Sequence, residues 1–232
     1  MPPPATDPDR RRPSWRKLLG EAPAAVRLLA AQLRKAAPGE DVGRGRPVMV
    51  IPAFLANDLP TSLLRRTLAA RGFRVYAWKQ GLNVGARRGK FERLLRRIDM
   101  IAAENRGKVA LVGWSLGGLY ARELAKRRPD KVSAVITLGT PFSQGQRANN
   151  AWKLYEAVND HPVDDPPVPA SPAVKPPVRT VAVWSRRDGI VAPASARGEP
   201  GEADERRELD CPHNVLVSDP RALQTIVDLL AR

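Results

Sequence analysis

The chain has little of what metal-binding and disulfide-stabilised proteins need. Its 232 residues include one cysteine, Cys211, and two histidines, His161 and His213. A single cysteine excludes an internal disulfide framework and a four-cysteine zinc site, and two histidines exclude a histidine-rich metal site. We therefore expect neither a metal nor a cofactor.

Long apolar runs are also missing. No window approaches the roughly 18 apolar residues that a membrane-spanning helix needs. The longest apolar stretch near the N-terminus, residues 28–31, is shorter than the core of about 7–15 residues in a secretory signal. These absences predict a cytoplasmic protein, although the basic N-terminal segment could hold it at a membrane surface.

Aromatic residues are scarce, at 5% of the chain, whereas basic residues are abundant and give a net charge of +15. Residues 62–108 alone hold thirteen basic and three acidic side chains. A net positive charge of this size is typical of proteins that bind nucleic acid or anionic membranes. The aromatic residues, however, form no stacking platform among the basic ones. The pattern favours an arginine-rich solvated surface without specific nucleic-acid binding, and it leaves weak attraction to anionic lipid open.

Two regions differ in composition. Residues 1–45 form a basic leader, which is predicted to be disordered over the proline-rich residues 1–13 and helical over 14–37, with a break at Pro23. The helix is expected to pack on the domain, and lying on a membrane surface with Trp15 and its leucines buried is the alternative. Residues 46–232 form the folded domain.

Short apolar runs alternate with helical patterns throughout this domain, which predicts an α/β fold with a mostly parallel central sheet and helices on both faces. The predicted strands are 48–51, 73–78, 108–112, 132–138, 178–184 and 206–210. The predicted helices are 61–71, 89–105, 116–128 and 219–231. A long connection, 140–177, is rich in proline and is interpreted as a functional lid.

One motif carries chemistry. Gly113-Trp114-Ser115-Leu116-Gly117 fits the G-x-S-x-G pattern, with a predicted strand before it and a predicted helix after it. In that context the serine occupies a strained turn that exposes its hydroxyl as a nucleophile. The backbone N–H of Leu116 is then expected to face a developing oxyanion, aided by the positive end of the helix.

With this motif and its flanks, residues 46–232 resemble the α/β-hydrolase superfamily, and within it the compact lipase- and esterase-like serine hydrolases. The resemblance implies the chain order serine, acid, histidine. His213 matches the general base, since it lies before the last helix, whereas His161 falls in the lid region. Asp188 follows the fifth strand and matches the acid, with Asp210 as its rival.

The resemblance also implies a second oxyanion donor in the loop after the first strand. Many lipases carry His-Gly there, whereas this chain has Pro52-Ala53. The match assigns the backbone N–H of Phe54 to this role, and Leu55 remains open as the alternative because the loop departs from the family pattern.

The sequence therefore predicts a serine esterase that cleaves a small-molecule or lipid ester through Ser115, His213 and Asp188. An acyltransferase or a thioesterase on the same fold is the first alternative. A non-catalytic protein that binds membrane or nucleic acid through its basic face is the second. A nucleophilic Cys211 would need a low pKa and a base of its own, so this residue is interpreted as structural or incidental.

Overall fold

A single six-stranded sheet organises the chain. The computed structural model describes residues 8–145, 147 and 149–232, so part of the predicted disordered segment, residues 1–7, lies outside the described residues. The strands are β1 (Pro47–Ile51), β2 (Arg74–Tyr76), β3 (Val109–Trp114), β4 (Val132–Leu138), β5 (Arg179–Ser185) and β6 (Glu205–Leu209). They lie in the order β2-β1-β3-β4-β5-β6, and every adjacent pair is parallel.

Helices connect these strands. Their bounds are α1 (Trp15–Leu19), α2 (Glu21–Ala31), α3 (Ser62–Ala70), α4 (Arg88–Glu104), α5 (Leu116–Arg127), α6 (Trp152–Val158), α7 (Pro193–Arg197) and α8 (Pro220–Ala231). The four helices predicted within the domain correspond to α3, α4, α5 and α8. The short helices α6 and α7 were not predicted.

Both faces of the sheet are covered, as predicted. One apolar cluster joins alternate side chains of the central strands to α2, α3 and α8. The other joins the opposite side chains of these strands to α4 and α5. The central strands β1 and β3 are buried along their whole length, because each is an almost continuous apolar run. At the edge, β6 is half-exposed and carries charged residues, which discourage further strand pairing.

The N-terminal helices differ from prediction in two respects. First, α2 ends at Ala31, whereas the predicted helix extends to residue 37. Second, the interruption lies at Gly20, between α1 and α2, and the predicted break at Pro23 is wrong. Pro23 lies in the first turn of α2, where its missing N–H would have no partner within the helix in any case. Ala24, Leu28 and Ala31 of α2 join the larger core, so this helix packs on the domain.

The proline-rich connection between β4 and β5 contains only one helix, α6, among its described residues. A single antiparallel bridge joins Asn149 of this connection to Val191, in the segment after β5. Among the described residues, no helix is both long enough and apolar enough to cross a membrane.

Candidate active site

The turn between β3 and α5 is strained at Ser115. This residue has φ 53° and ψ −121°, a conformation that costs a non-glycine residue about 1–3 kcal/mol. Two hydrogen bonds hold it there, because its backbone N–H donates to the carbonyl of Leu138 at 2.8 Å and its carbonyl accepts from Oγ1 of Thr140 at 2.9 Å. The serine therefore sits at the carboxyl end of the sheet, at the first turn of a helix.

Two glycines make this turn sterically feasible. A Cβ at Gly113 would approach the carbonyl oxygen of Gly117 to 2.3 Å, and a Cβ at Gly117 would approach the carbonyl oxygen of Ile51 to 2.3 Å. Any side chain at either position would therefore push α5 away from the strands. This explains why small residues are needed on both sides of Ser115.

Asp188 is fully buried in the loop after β5, and its two carboxylate oxygens have separate partners. Oδ1 accepts hydrogen bonds from the backbone N–H groups of Ile190 at 2.8 Å and Val191 at 2.7 Å. Oδ2 lies 2.7 Å from Nδ1 of His213. The loop thus fixes the carboxylate with one oxygen aimed at the imidazole.

His213 begins a short turn after β6 and is almost completely buried. Burial disfavours the charged imidazolium, but the negative charge and hydrogen bond of Asp188, with a smaller contribution from Glu21, outweigh burial and raise the pKa of His213 above 6.5. Because a carboxylate accepts a hydrogen bond, Nδ1 carries the proton in this pair. Nε2 is then the nitrogen that can take up a proton.

The other candidates for the acid, the base and the nucleophile have surroundings that do not suit these roles. Asp210 is largely exposed, and its Oδ2 lies 3.7 Å from a guanidinium nitrogen of Arg187. His161 lies in the proline-rich connection, where its ring packs edge-on against Tyr155. The thiol of Cys211 is buried, and burial, assisted by nearby carboxylates, raises its pKa to about 12. A thiol with that pKa is protonated at neutral pH and is a poor nucleophile.

The segment after β4 joins the serine turn to the Asp188–His213 pair. A Cβ at Gly139 would lie 2.9 Å from Nδ1 of His213 and 3.0 Å from Oδ2 of Asp188. The neighbours of Gly139 on either side, Leu138 and Thr140, make the two hydrogen bonds to Ser115 described above. In addition, the ring of Trp114 lies 5.9 Å from the ring of His213. The segment 138–140 therefore contacts both the Ser115 turn and the Asp188–His213 pair.

Asn83 fixes the loop that follows β1. Its side chain is buried and donates to the carbonyl of Pro52 at 2.8 Å. Its backbone carbonyl accepts from the N–H of Leu55 at 2.8 Å. The N–H of Leu55 therefore already has a hydrogen-bond partner in Asn83. Of the two candidate residues, Phe54 is the one that lines the cavity beside Ser115.

A cavity of about 390 Å³ opens beside Ser115. Its walls are mostly apolar and come from the serine turn, the proline-rich connection and the loop after Asp188. Lining residues include Phe54, Leu119, Phe142, Tyr155, Val168 and Ile190. A cavity of this size and composition suits an apolar group of a small molecule.

Sequence reasoning missed Glu21, a buried carboxylate on α2. Its Oε1 accepts from the backbone N–H groups of Gly189 and His213, both at 2.8 Å, and its Oε2 accepts from that of Asn214 at 2.9 Å. Glu21 therefore ties the Asp188 loop to the His213 loop. One signal could have found it, since Glu21 is the only acidic residue between positions 10 and 39, among eight basic ones.

Comparison with known proteins supports the resemblance to α/β hydrolases. A family profile described as alpha/beta hydrolase fold matches residues 87–168. A curated relative, the biotin biosynthesis bifunctional protein BioHC of Teredinibacter turnerae, is 38% identical over 60 residues. That match covers 26% of this chain and 10% of the relative, so this chain spans only a small part of that protein.

Solved structures agree over much more of the chain. The monoacylglycerol lipase of Paleococcus ferrophilus has a TM-score of 0.56 at 18% identity, over 81% of this chain and 96% of that one. The esterase Pf2001 of Pyrococcus furiosus has a TM-score of 0.58 at 13% identity, over 82% and 84%. The type II thioesterase BorB of the borrelidin biosynthetic cluster has a TM-score of 0.55 at 18% identity, over 86% and 94%. At these identities the likeness establishes the fold.

Proposed function

From the premise that this chain has the α/β-hydrolase fold, we propose that it is a serine hydrolase that cleaves carboxylic esters. The observation that carries the proposal is the buried Asp188–His213 pair, 2.7 Å apart, beside the strained turn at Ser115. An aspartate that fixes the tautomer of a histidine near a half-buried serine is the arrangement that activates a hydroxyl nucleophile.

In the proposed reaction, Oγ of Ser115 attacks the acyl carbon while Nε2 of His213 takes the hydroxyl proton. The tetrahedral intermediate collapses as His213 gives this proton to the leaving alcohol, which leaves an acyl-serine. Water then attacks the acyl-serine, and His213 accepts a proton from the water and returns it to Oγ of Ser115. The products are a carboxylic acid and an alcohol.

The oxyanion is proposed to bind two backbone N–H groups, those of Leu116 and Phe54. Leu116 is the first residue of α5, where N–H groups point out of the helix and the helix dipole favours negative charge. The choice of Phe54 over Leu55 is supported by the hydrogen bond that already engages the N–H of Leu55 with Asn83. Donors of this kind contribute about 2.7–4 kcal/mol each to transition-state stabilisation.

The apolar cavity is proposed to hold the acyl group, and the proline-rich connection forms part of its wall. A thioester would present the same acyl group to the same nucleophile. Thioesterase activity is therefore the second candidate, and BorB supports it by sharing the fold. Parallel assays with an oxygen ester and a thioester of identical acyl chain would distinguish the two activities.

The Ser115→Ala variant tests the proposal. We expect it to lose at least 10³-fold in kcat on p-nitrophenyl esters and to lose labelling by a fluorophosphonate probe, because the nucleophile is absent. Ser133→Ala, at an exposed position on β4, is the matched control and should retain both. Equal turnover by the Ser115→Ala and wild-type proteins would contradict the assignment. A folded wild-type protein that neither labels nor turns over esters would favour a non-catalytic role.

A further inference from the structure

The side of α2 that faces away from the domain is apolar. Its inward side carries the buried residues Glu21, Ala24, Leu28 and Ala31. On the opposite side, Val26, Leu29 and the following Leu33 are 66%, 64% and 90% exposed. With 3.6 residues per turn, these three positions fall on one stripe of the helix surface. Apolar side chains this exposed are not explained by packing within the chain.

The same stripe continues along α1. Gly20 between the two helices keeps a right-handed helical backbone, with φ −63° and ψ −15°. Helical spacing therefore brings Trp15, Leu18 and Leu19 into line with the stripe on α2, and these residues are 67%, 43% and 63% exposed. We call these six side chains the apolar leader face: Trp15, Leu18, Leu19, Val26, Leu29 and Leu33.

Positive charge accompanies the apolar leader face. The exposed basic residues of these helices and of the segment directly after them are Arg16, Lys17, Arg27, Arg34 and Lys35. The one acidic residue between positions 10 and 39, Glu21, points inward and is buried against the Asp188 and His213 loops. The solvent-facing surface of these helices is therefore apolar and cationic, without a compensating negative side chain.

The segment that carries this face lies next to the rim of the cavity. The carbonyl of Pro13 accepts a hydrogen bond from the side chain of Asn150, whose neighbour Ala151 lines the cavity. The backbone of Lys17 packs so tightly on Gly189 that a Cβ there would approach the carbonyl oxygen of Lys17 to 2.3 Å. Residues next to Gly189 also line the cavity.

We propose that the apolar leader face docks on an anionic lipid surface and holds the cavity beside it. Exposed tryptophan and leucine side chains flanked by lysine and arginine are the composition of helices that lie in the membrane interface. Nucleic acid would match the positive charge but would leave the apolar stripe in water. A second copy would match the stripe but would bring two cationic helices together. An anionic lipid surface satisfies both features, independently of the proposed ester hydrolysis.

Vesicle binding by the full chain tests the proposal. Purified protein is centrifuged with vesicles of phosphatidylcholine alone and with vesicles of equal parts phosphatidylcholine and phosphatidylglycerol, at low and high salt. Two variants probe the surface, Leu29→Asp/Leu33→Asp for its apolar part and Arg27→Gln/Arg34→Gln for its charge. The matched controls are Met100→Asp, 63% exposed on α4, and Arg96→Gln, also exposed on α4.

We expect binding to the anionic vesicles that weakens with salt and falls at least tenfold in Leu29→Asp/Leu33→Asp. Each basic residue removed from the leader should lower the partition coefficient about fivefold. The α4 controls should bind as the wild type does. Equal loss in the α4 controls would assign binding to overall charge and overturn the proposal. So would a stable dimer in sedimentation that Leu29→Asp/Leu33→Asp dissociates, or binding to duplex DNA with none to vesicles.

Discussion

At the scale of single residues, the charge state of His213 is set by opposing effects. Burial favours the neutral imidazole, whereas Asp188 and Glu21 favour the imidazolium strongly enough to raise the pKa above 6.5. A general base must be neutral to accept a proton. The proposed activity should therefore rise with pH through a midpoint that lies above 6.5, as kcat/KM measured in the wild-type protein.

Asp188→Asn should change both the rate and this midpoint. The amide carries no charge, so burial and the loss of the ion pair shift the midpoint to lower pH. The amide also fails to fix the tautomer, and kcat should fall by a factor on the order of 10⁴. A kcat/KM profile between pH 5 and pH 9 (roughly the range in which histidine titrates) measures both effects. Asp210→Asn is the control, and an unchanged midpoint in Asp188→Asn would contradict the pairing.

Some of these residues were predictable from the sequence, and others were not. Ser115 lies in a local motif, and Asp188 and His213 each follow a strand at a position that the family resemblance implies. Glu21 contacts loops 168 and 192 positions away along the chain, and no local pattern encodes such a pairing. The proposed choice of Phe54 over Leu55 rests on the hydrogen bond between the N–H of Leu55 and the carbonyl of Asn83, which lies in a separate loop, and no sequence pattern shows that bond.

At the scale of elements, periodic apolar patterns predicted all six strands and the helices α3, α4, α5 and α8 to within about two residues at each end. The predicted leader helix, however, extended to residue 37, well beyond the end of α2 at Ala31. The helices α6 and α7 were not predicted because they are short, with 7 and 5 residues, and their apolar residues show no clear period.

The prediction of a helix break at Pro23 was wrong for a physical reason. Proline breaks a helix from its interior, but it is tolerated in the first turn, and only the structure shows where α2 begins.

The loop that holds His213 depends on an element far from it in sequence, and Glu21→Gln tests this dependence. One amide oxygen can still accept from Gly189 and His213, but the amide nitrogen would face the N–H of Asn214. We expect a loss of about 1–3 kcal/mol in unfolding free energy, measured by urea denaturation. We also expect a lower pH midpoint of kcat/KM, because a negative charge that raises the pKa of His213 is removed.

The control for this variant is Glu40→Gln, an exposed acidic position of the leader. It should change neither the urea midpoint nor the pH profile. A Glu21→Gln protein that loses stability while its pH midpoint stays fixed would limit Glu21 to a structural role. Wild-type values for both quantities would refute its part in positioning the loops.

At the scale of the whole molecule, the net charge of +15 lies on surface side chains and not in the Asp188–His213 pair, which is buried. The sequence predicts a boundary near residue 45 between a basic leader and a folded domain. In the structure, however, Ala24, Leu28 and Ala31 share one apolar core with side chains from β1 to β5. The leader carries charge on its outside and contributes to the core on its inside.

A truncated protein that begins at residue 40 should therefore be less stable than the full chain. Truncation removes the packing of Leu28, and losing a buried leucine side chain costs about 2–5 kcal/mol. It also exposes the loops that Glu21 holds. We expect the Tm to fall by about 4–20 °C, since 1 kcal/mol corresponds to about 2–4 °C at this size. Ester turnover should fall with it, because Gly189 and His213 lose their shared acceptor. The control is a protein that begins at residue 8, which keeps both N-terminal helices. If the protein that begins at residue 40 keeps the Tm and ester turnover of the full chain, then the buried face of α2 does not stabilise the domain.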